Sequence, residues 1–220
     1  MTLDYAKARA LMVEQQVRPW DVLDARVLEV LATLPRDAFV PEIHRSLAYA
    51  DLALPIGHGE TMMKPVVEGR MLQALDLQPG DDVLEIGTGS GFITACIAQL
   101  ARSVASLEIH PDLAVSAQAR LAAQGLGGNI DVIQADAMAW DANGRKFDAV
   151  CVTGAVTAIP ASFMEWLRPG GRLFAVRGVA PVMEAVLVST HEGSAPTTTS
   201  LFETELAYLA GAGPVPRFEF

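Results

Sequence analysis

Apolar positions along this chain follow two rhythms, helical spacing near the start and short runs of strand length from residue 83 onward. Within residues 5–17, Leu11, Met12 and Val17 stand among Ala, Glu and Gln, a pattern that predicts a helix. Pro19 limits it, because the residue before a proline is pushed out of the α region. Asp24 is placed to cap a second helix over 25–33, whose apolar positions are Val27, Leu28, Val30 and Leu31. Residues 35–41 form a turn-rich connector bounded by two prolines. The segment 47–54 then leads into Pro55-Ile56-Gly57-His58-Gly59. The first 65 residues read as an N-terminal helical cap, an element that shapes a substrate pocket over a cofactor edge.

A helix is predicted over 66–75 and a turn at Gln78-Pro79-Gly80-Asp81. Strand candidates at 83–86, 103–109, 130–134 and 147–152 then alternate with helices at 92–100, 112–124 and 161–167. Such alternation predicts an α/β, Rossmann-like fold, a mostly parallel central sheet with helices on both faces. Arg168-Pro169-Gly170-Gly171-Arg172 reads as a sharp turn into a strand at 173–176. Residues 182–189 and 200–209 read as late strands, antiparallel at the sheet edge, with a polar loop over 191–199 between them. The chain thus divides into a cap over 1–65, a core over 66–190, and an edge strand and tail of the same domain over 191–220.

The turn after the first core strand carries the chemistry. Val83-Leu84-Glu85-Ile86 runs into Gly87-Thr88-Gly89-Ser90-Gly91, with glycines at alternate positions. Lacking Cβ, glycine lets a ligand lie directly on the backbone. The helix beyond presents unpaired N–H groups. The spacing is G-x-G-x-G with Glu85 ahead of it, not the G-x-G-x-x-G of dinucleotide dehydrogenases, which weakens an NAD-dependent oxidoreductase reading. An acid before the loop suits a ligand carrying an ammonium and a sulfonium better than a pyrophosphate. The loop is similar to that of class I S-adenosylmethionine methyltransferases; the plainer account is a packing turn, which the downstream chain weighs against. The second strand ends in Glu108-Ile109, where a carboxylate, an acceptor only, takes both protons of a ribose diol. After the third comes Ala135-Asp136-Ala137, where the acid either accepts from an adenine amino group or caps a helix. The fourth ends at Thr153. If the four strands are parallel, all these residues share the sheet edge at which α/β folds bind ligands.

Composition narrows the classes. With 220 residues, 51% hydrophobic and 19% charged, the chain forms one domain with a large core. No apolar run spans a bilayer, and the first residues carry no signal-peptide pattern, so a cytoplasmic protein without a membrane partner is expected. A net charge of −10 argues against nucleic acid and anionic membranes as partners. Cys96 and Cys151 lie in apolar segments and read as buried thiols, and metal-ligand spacing is absent.

Four segments, in order, resemble protein-L-isoaspartate O-methyltransferases: Met12-Val-Glu-Gln-Gln16, Ala48-Tyr49-Ala50-Asp51 running to Leu54-Pro55-Ile56-Gly57-His58-Gly59, the glycine loop, and Phe147–Thr153 with Leu167-Arg-Pro-Gly-Gly-Arg-Leu173 after it. The resemblance implies the S-adenosylmethionine methyltransferase fold, with S-adenosyl-L-methionine on the core and S-adenosyl-L-homocysteine as product. It implies a peptide-binding cap and methyl transfer to the free carboxylate of a damaged, isoaspartyl protein by a monomer or weak homodimer. On that resemblance the cofactor is held by Glu85, Gly87, Thr88, Gly89, Ser90, Gly91, Glu108, Ile109, Asp136, Ala137 and Thr153. The acceptor side is assigned to His58, Thr61 and the position of Met63, with no metal. His58 either orients substrate or is a turn residue; Met62 and Met63 either face substrate or fill core gaps. His44, His110 and His191 read as surface residues.

The chain departs from that family where the family reads Gln-Thr-Ile-Ser, a residue, then proline. Here the sequence is Glu60-Thr61-Met62-Met63-Lys64-Pro65, and the serine beside the methyl-accepting carboxylate falls at Met63. A thioether donates no hydrogen bond, and losing one donor to a charged oxygen costs about 1.5–3 kcal/mol. Lys64 stands nearby as a compensating charge. Phe92 replaces a family tyrosine, and Gly154-Ala-Val-Thr157 an Ala-Ala-Ala-Pro-like stretch. These departures keep two alternatives open: a relative that methylates another acceptor, such as a small metabolite, and a non-catalytic S-adenosylmethionine-binding module.

Overall fold

A computed structural model describes residues 4–214, so the first residues of the leader reading and the end of the C-terminal tail lie outside the described residues. Asp4 opens helix α1 (Tyr5–Met12), its carboxylate accepting from the Lys7 N–H at 3.0 Å. The helix loosens into a π turn over Val13–Val17 and tightens into a 3-10 turn over Arg18–Trp20, where Pro19 ends the run. Asp24 caps α2 (Ala25–Thr33) as expected, accepting from the N–H groups of Arg26 and Val27. Two short 3-10 turns follow, and then a feature that spacing did not predict. Strands β1 (Leu54–Gly57) and β2 (Glu60–Met62) pair antiparallel as a hairpin. Its turn holds His58 at φ 55° and Gly59 at φ 81°, so the cap carries a hairpin beside its helices.

After α3 (Pro65–Leu75) the core alternates as expected: β3 (Asp82–Ile86), α4 (Phe92–Leu100), β4 (Ser103–Glu108), α5 (Pro111–Ala123), β5 (Ile130–Gln134), β6 (Phe147–Val156) and α6 (Ala161–Glu165). Then come β7 (Leu167–Val179), β8 (Val182–His191) and β9 (Ser194–Glu203). The seven strands order as β5-β4-β3-β6-β7-β8-β9. Pairs among β5, β4, β3, β6 and β7 are parallel, whereas β8 and β9 add antiparallel. The chain order reverses at β3, between β4 and β6, which opens a crevice at the carboxyl ends of those strands.

Two boundaries differ from the pattern. The polar stretch at 191–199 is not one loop: His191 ends β8, 192–193 turn, and β9 starts at Ser194, its first seven residues all exposed. With both faces wet, no apolar alternation marks it. Residues 204–209 are not strand; instead Ala155 donates to Ala207 O at 2.7 Å and Leu209 to Ala155 O at 2.9 Å, lacing that segment to the end of β6. The Arg168–Arg172 turn sits inside β7 as a register shift, between the pairs Phe147–Leu167 and Ala149–Arg172.

Both faces of the central strands β4, β3 and β6 are buried. Along β6, Cys151 packs toward the cap and α4 side while Val150 and Val152 pack with Phe163 and Leu173 on the other. Cys96 and Cys151 are buried, and burial pushes both thiols up in pKa. One buried cation ties the cap to the core. Arg36 is fully buried and grips both Glu68 oxygens at 3.0 Å, while donating to Ala48 O at 2.6 Å and Met63 O at 2.7 Å. No helix among the described residues is long and apolar enough to cross a membrane.

Candidate active site

At the end of β3 the backbone turns through Gly87, Gly89 and Gly91 at φ 98°, 52° and 87°. A side chain is excluded at the first of these twice over, since a Cβ on Gly87 would also lie 2.4 Å from Thr153 Oγ1. Thr153 holds the bend from β6, donating to Gly87 O at 2.6 Å or Ile86 O at 2.9 Å. Glu108, at the end of β4, holds it from the other side: Oε2 accepts from the Gly89 N–H at 2.7 Å. Glu108 Oε1 accepts from the His110 N–H at 3.0 Å. A carboxylate has about four acceptor positions, so this one retains capacity for two hydroxyl donors.

These groups wall a cleft of about 630 Å³, open mouth included. Gly87, Gly89, Glu108, Ile109, Asp136, Ala137 and Thr153 all line it, so seven of the residues singled out for the cofactor meet in one place. Asp136 also accepts from the Met138 N–H at 2.9 Å, closing a turn over 137–139 where a helix cap was the alternative expectation. A smaller cavity lies on the cap side of the loop, lined by Met62, Met63, Thr88 and Ser90 among others. Ile56, Thr61, Gly87, Gly89 and Thr153 line both cavities and form the wall between them. Thr61 Oγ1 has no hydrogen-bond partner among the described residues.

Four of the residues singled out from sequence, Glu85, Gly91, His58 and Lys64, lie outside both cavity linings. Glu85 faces neither cavity. It is fully buried on the α4 side of β3, where its Oε2 accepts from Thr94 and Ser106 at 2.5 Å each, and Ser106 in turn meets Thr88 at 2.6 Å. Strand alternation puts Glu85 on the face opposite Leu84 and Ile86, under the loop rather than in it. Gly91 likewise lies outside both linings; it caps α4, and a Cβ there would meet Ala117 Cβ at 3.2 Å. His58 lines neither cavity, because its positive-φ turn carries the ring outward to Asp112. Lys64 is exposed at the start of α3 and reaches neither cavity, and Met63 is buried. Sequence reasoning also missed Glu60 and His110, both of which line the larger cleft. His110 was signalled only by standing two residues after Glu108.

Burial pushes the Glu85 carboxyl up to about 8, with Glu108 adding to the effect and the Ser106 and Thr94 hydrogen bonds opposing it. The folded chain therefore keeps a proton that the unfolded chain releases above about pH 4.5. Stability is withdrawn as pH rises from there toward 8. Glu85→Gln, which cannot ionise, is expected to flatten that decline by a few kcal/mol, on the order of 1.4 per pH unit. Urea unfolding of both proteins at pH 5 and pH 8 checks it.

The family model described as protein-L-isoaspartate(D-aspartate) O-methyltransferase matches residues 7–195. The chain is 43% identical over 169 residues to protein-L-isoaspartate O-methyltransferase 1 of Rhodopseudomonas palustris (strain HaA2), covering 77% of this chain and 69% of that protein. It is 39% identical over 193 residues to the protein-L-isoaspartate O-methyltransferase of Myxococcus xanthus (strain DK1622), covering 86% and 91%. Among solved structures, a Plasmodium falciparum chain assigned as a beta-aspartate methyltransferase, in complex with S-adenosyl-L-homocysteine, aligns with TM-score 0.80 at 19% identity. That alignment covers 94% of this chain and 99% of the other, and at such identity the likeness is one of fold.

Proposed function

The chain belongs to the protein-L-isoaspartate(D-aspartate) O-methyltransferase family, and we propose that it methylates the free carboxylate of isoaspartyl residues in damaged proteins. S-adenosyl-L-methionine is the donor and S-adenosyl-L-homocysteine the product. One observation carries this reading: two cavities, one suited to each reactant, share a wall at Thr61, Gly87, Gly89 and Thr153. The larger cleft fits the donor. Gly87 and Gly89 allow close approach along the backbone, Glu108 keeps acceptor capacity for a ribose diol, and Asp136 offers an acceptor to an adenine amino group. When bound, the donor supplies an electrophilic methyl group on a sulfonium.

An acceptor carboxylate is already ionised at neutral pH, so no general base is required. The smaller cavity agrees with this. Its carboxylate, Glu68, is occupied by Arg36. What the chain supplies is alignment, which is worth roughly 7–11 kcal/mol when two reactants are held in line. Met63 offers no donor to the acceptor, and Thr61 takes that part from the shared wall. The thioether at Met63 also favours a second reading, in which the same site methylates a different acceptor.

Offering an isoaspartyl peptide with methyl-labelled S-adenosylmethionine tests the proposal. The expected result is label on the peptide that base releases as methanol. No label on that peptide, with label on some other acceptor, would overturn it in favour of the second reading. Thr61→Val is expected to lower kcat/KM toward the peptide by about 10-fold or more, the value of one hydrogen bond to a charged oxygen. Cofactor affinity should change much less, which separates acceptor positioning from donor binding.

A further inference from the structure

The tip of the β1–β2 hairpin meets the corner between β4 and α5 across the mouth of the larger cleft. His58 Nε2 lies 2.9 and 3.0 Å from the two carboxylate oxygens of Asp112, in the first turn of α5. Its ring stacks on that of His110, with centroids 4.0 Å apart and planes 9° from parallel. His110 Nε2 is buried without a hydrogen-bond partner, and the Glu60 carboxylate stands 4.0 Å from it. The four side chains run acid, imidazole, imidazole, acid, from the outer surface to the cleft. Glu108 is the next charge inward, reached through the His110 N–H, and Asp136 faces the same cleft from the end of β5.

We propose that His58 is a positioning residue: with Asp112, His110 and Glu60 it clasps the hairpin shut over the bound cofactor, and the clasp tightens when the imidazole pair carries a proton. The proposal rests on the cofactor reading given above. The backbone favours a purpose for this side chain. His58 sits at φ 55°, uncommon for a residue with a Cβ, and here it carries a ring that reaches across to Asp112 and His110. Asp112 remains ionised throughout the range in which an imidazole changes charge, because the His58 hydrogen bond and the helix start both favour its anion. Protonation therefore converts the contact between the Asp112 anion and a neutral ring into an ion pair, while burial pushes up the Glu60 carboxyl at the inner end of the stack. His58 and Asp112 are both exposed, so the pair contributes little to global stability and acts on the closed, ligand-holding arrangement.

The test is titration of S-adenosyl-L-homocysteine at pH 6 and pH 8 into the wild type, His58→Asn and Asp112→Asn, with stopped-flow release rates. Asn suits the positive φ at position 58 but is too short to stack on His110 or reach Asp112. Wild type is expected to bind about three- to fivefold more tightly at pH 6 than at pH 8, the scale of an exposed ion pair. Both variants should show a flat profile and faster release, with thermal midpoints near the wild-type value. In Asp112→Asn, KM for S-adenosylmethionine should rise about threefold with kcat retained. Variants that keep the wild-type pH slope and release rate would overturn the clasp and leave the proposed function standing. Wild type that binds no S-adenosylhomocysteine would overturn both.

Discussion

Glu108→Ala is expected to weaken S-adenosyl-L-homocysteine binding by about 100-fold or more, the combined value of two hydrogen bonds to a charged acceptor. The carboxylate does two things at once. It fixes the loop by accepting from the Gly89 N–H, and it anchors the β4–α5 corner through the His110 N–H. Its remaining acceptor capacity points to the cleft that it lines. Alanine removes all of these, leaving two backbone donors to find water. Glu108→Gln keeps one acceptor oxygen and the side-chain volume, so its loss should be nearer 10-fold. Calorimetric titration of the three proteins orders them. Equal affinity in wild type and Glu108→Ala would show that the ligand does not rest on this residue.

Arg36→Met should lower stability by about 3–5 kcal/mol, because it strands a buried carboxylate. For a chain of this size that corresponds to a fall in Tm of roughly 6–20 °C. Arg36 binds the cap to the core, pairing with Glu68 on α3 while holding the carbonyls of Ala48 and Met63 in the cap. Burial pushes the Glu68 carboxyl up, and Arg36 opposes that push. Without the arginine, Glu68 escapes the cost only by taking a proton. A folded-state pKa raised above the unfolded one withdraws stability as pH rises, so the variant's deficit should be larger at pH 8 than at pH 5. Arg36→Met combined with Glu68→Met removes both charges and should recover much of the loss. Differential scanning calorimetry at the two pH values checks the direction. A double variant no more stable than the single one would place the loss in packing rather than in the stranded charge.

The glycine loop and the parallel core were legible in the sequence because each strand there is a short apolar run closed by a turn. The residues at those strand ends converge for a topological reason, and so Gly87, Glu108, Asp136 and Thr153 reach one cleft. The placement of Glu85 beneath the loop was not legible, because an acid next to a glycine loop looks like part of it. Only the two-residue period of β3, together with Thr94 and Ser106 arriving from other elements, shows that it faces the interior. The β1–β2 hairpin escaped notice because its strands span four and three residues and one contains proline. The start of β9 was hidden by having no buried face. The pairing of His58 with His110 depends on where that hairpin folds back, and no local spacing encodes it.

The most direct measurement is a crystal structure of the protein with S-adenosyl-L-homocysteine bound. The ribose hydroxyls are expected within hydrogen-bond distance of Glu108, roughly 2.5–2.7 Å, with the adenine beside Asp136 and the thioether sulfur facing the Thr61–Thr153 wall. A ligand seated outside this cleft, or one whose ribose leaves Glu108 untouched, would contradict it.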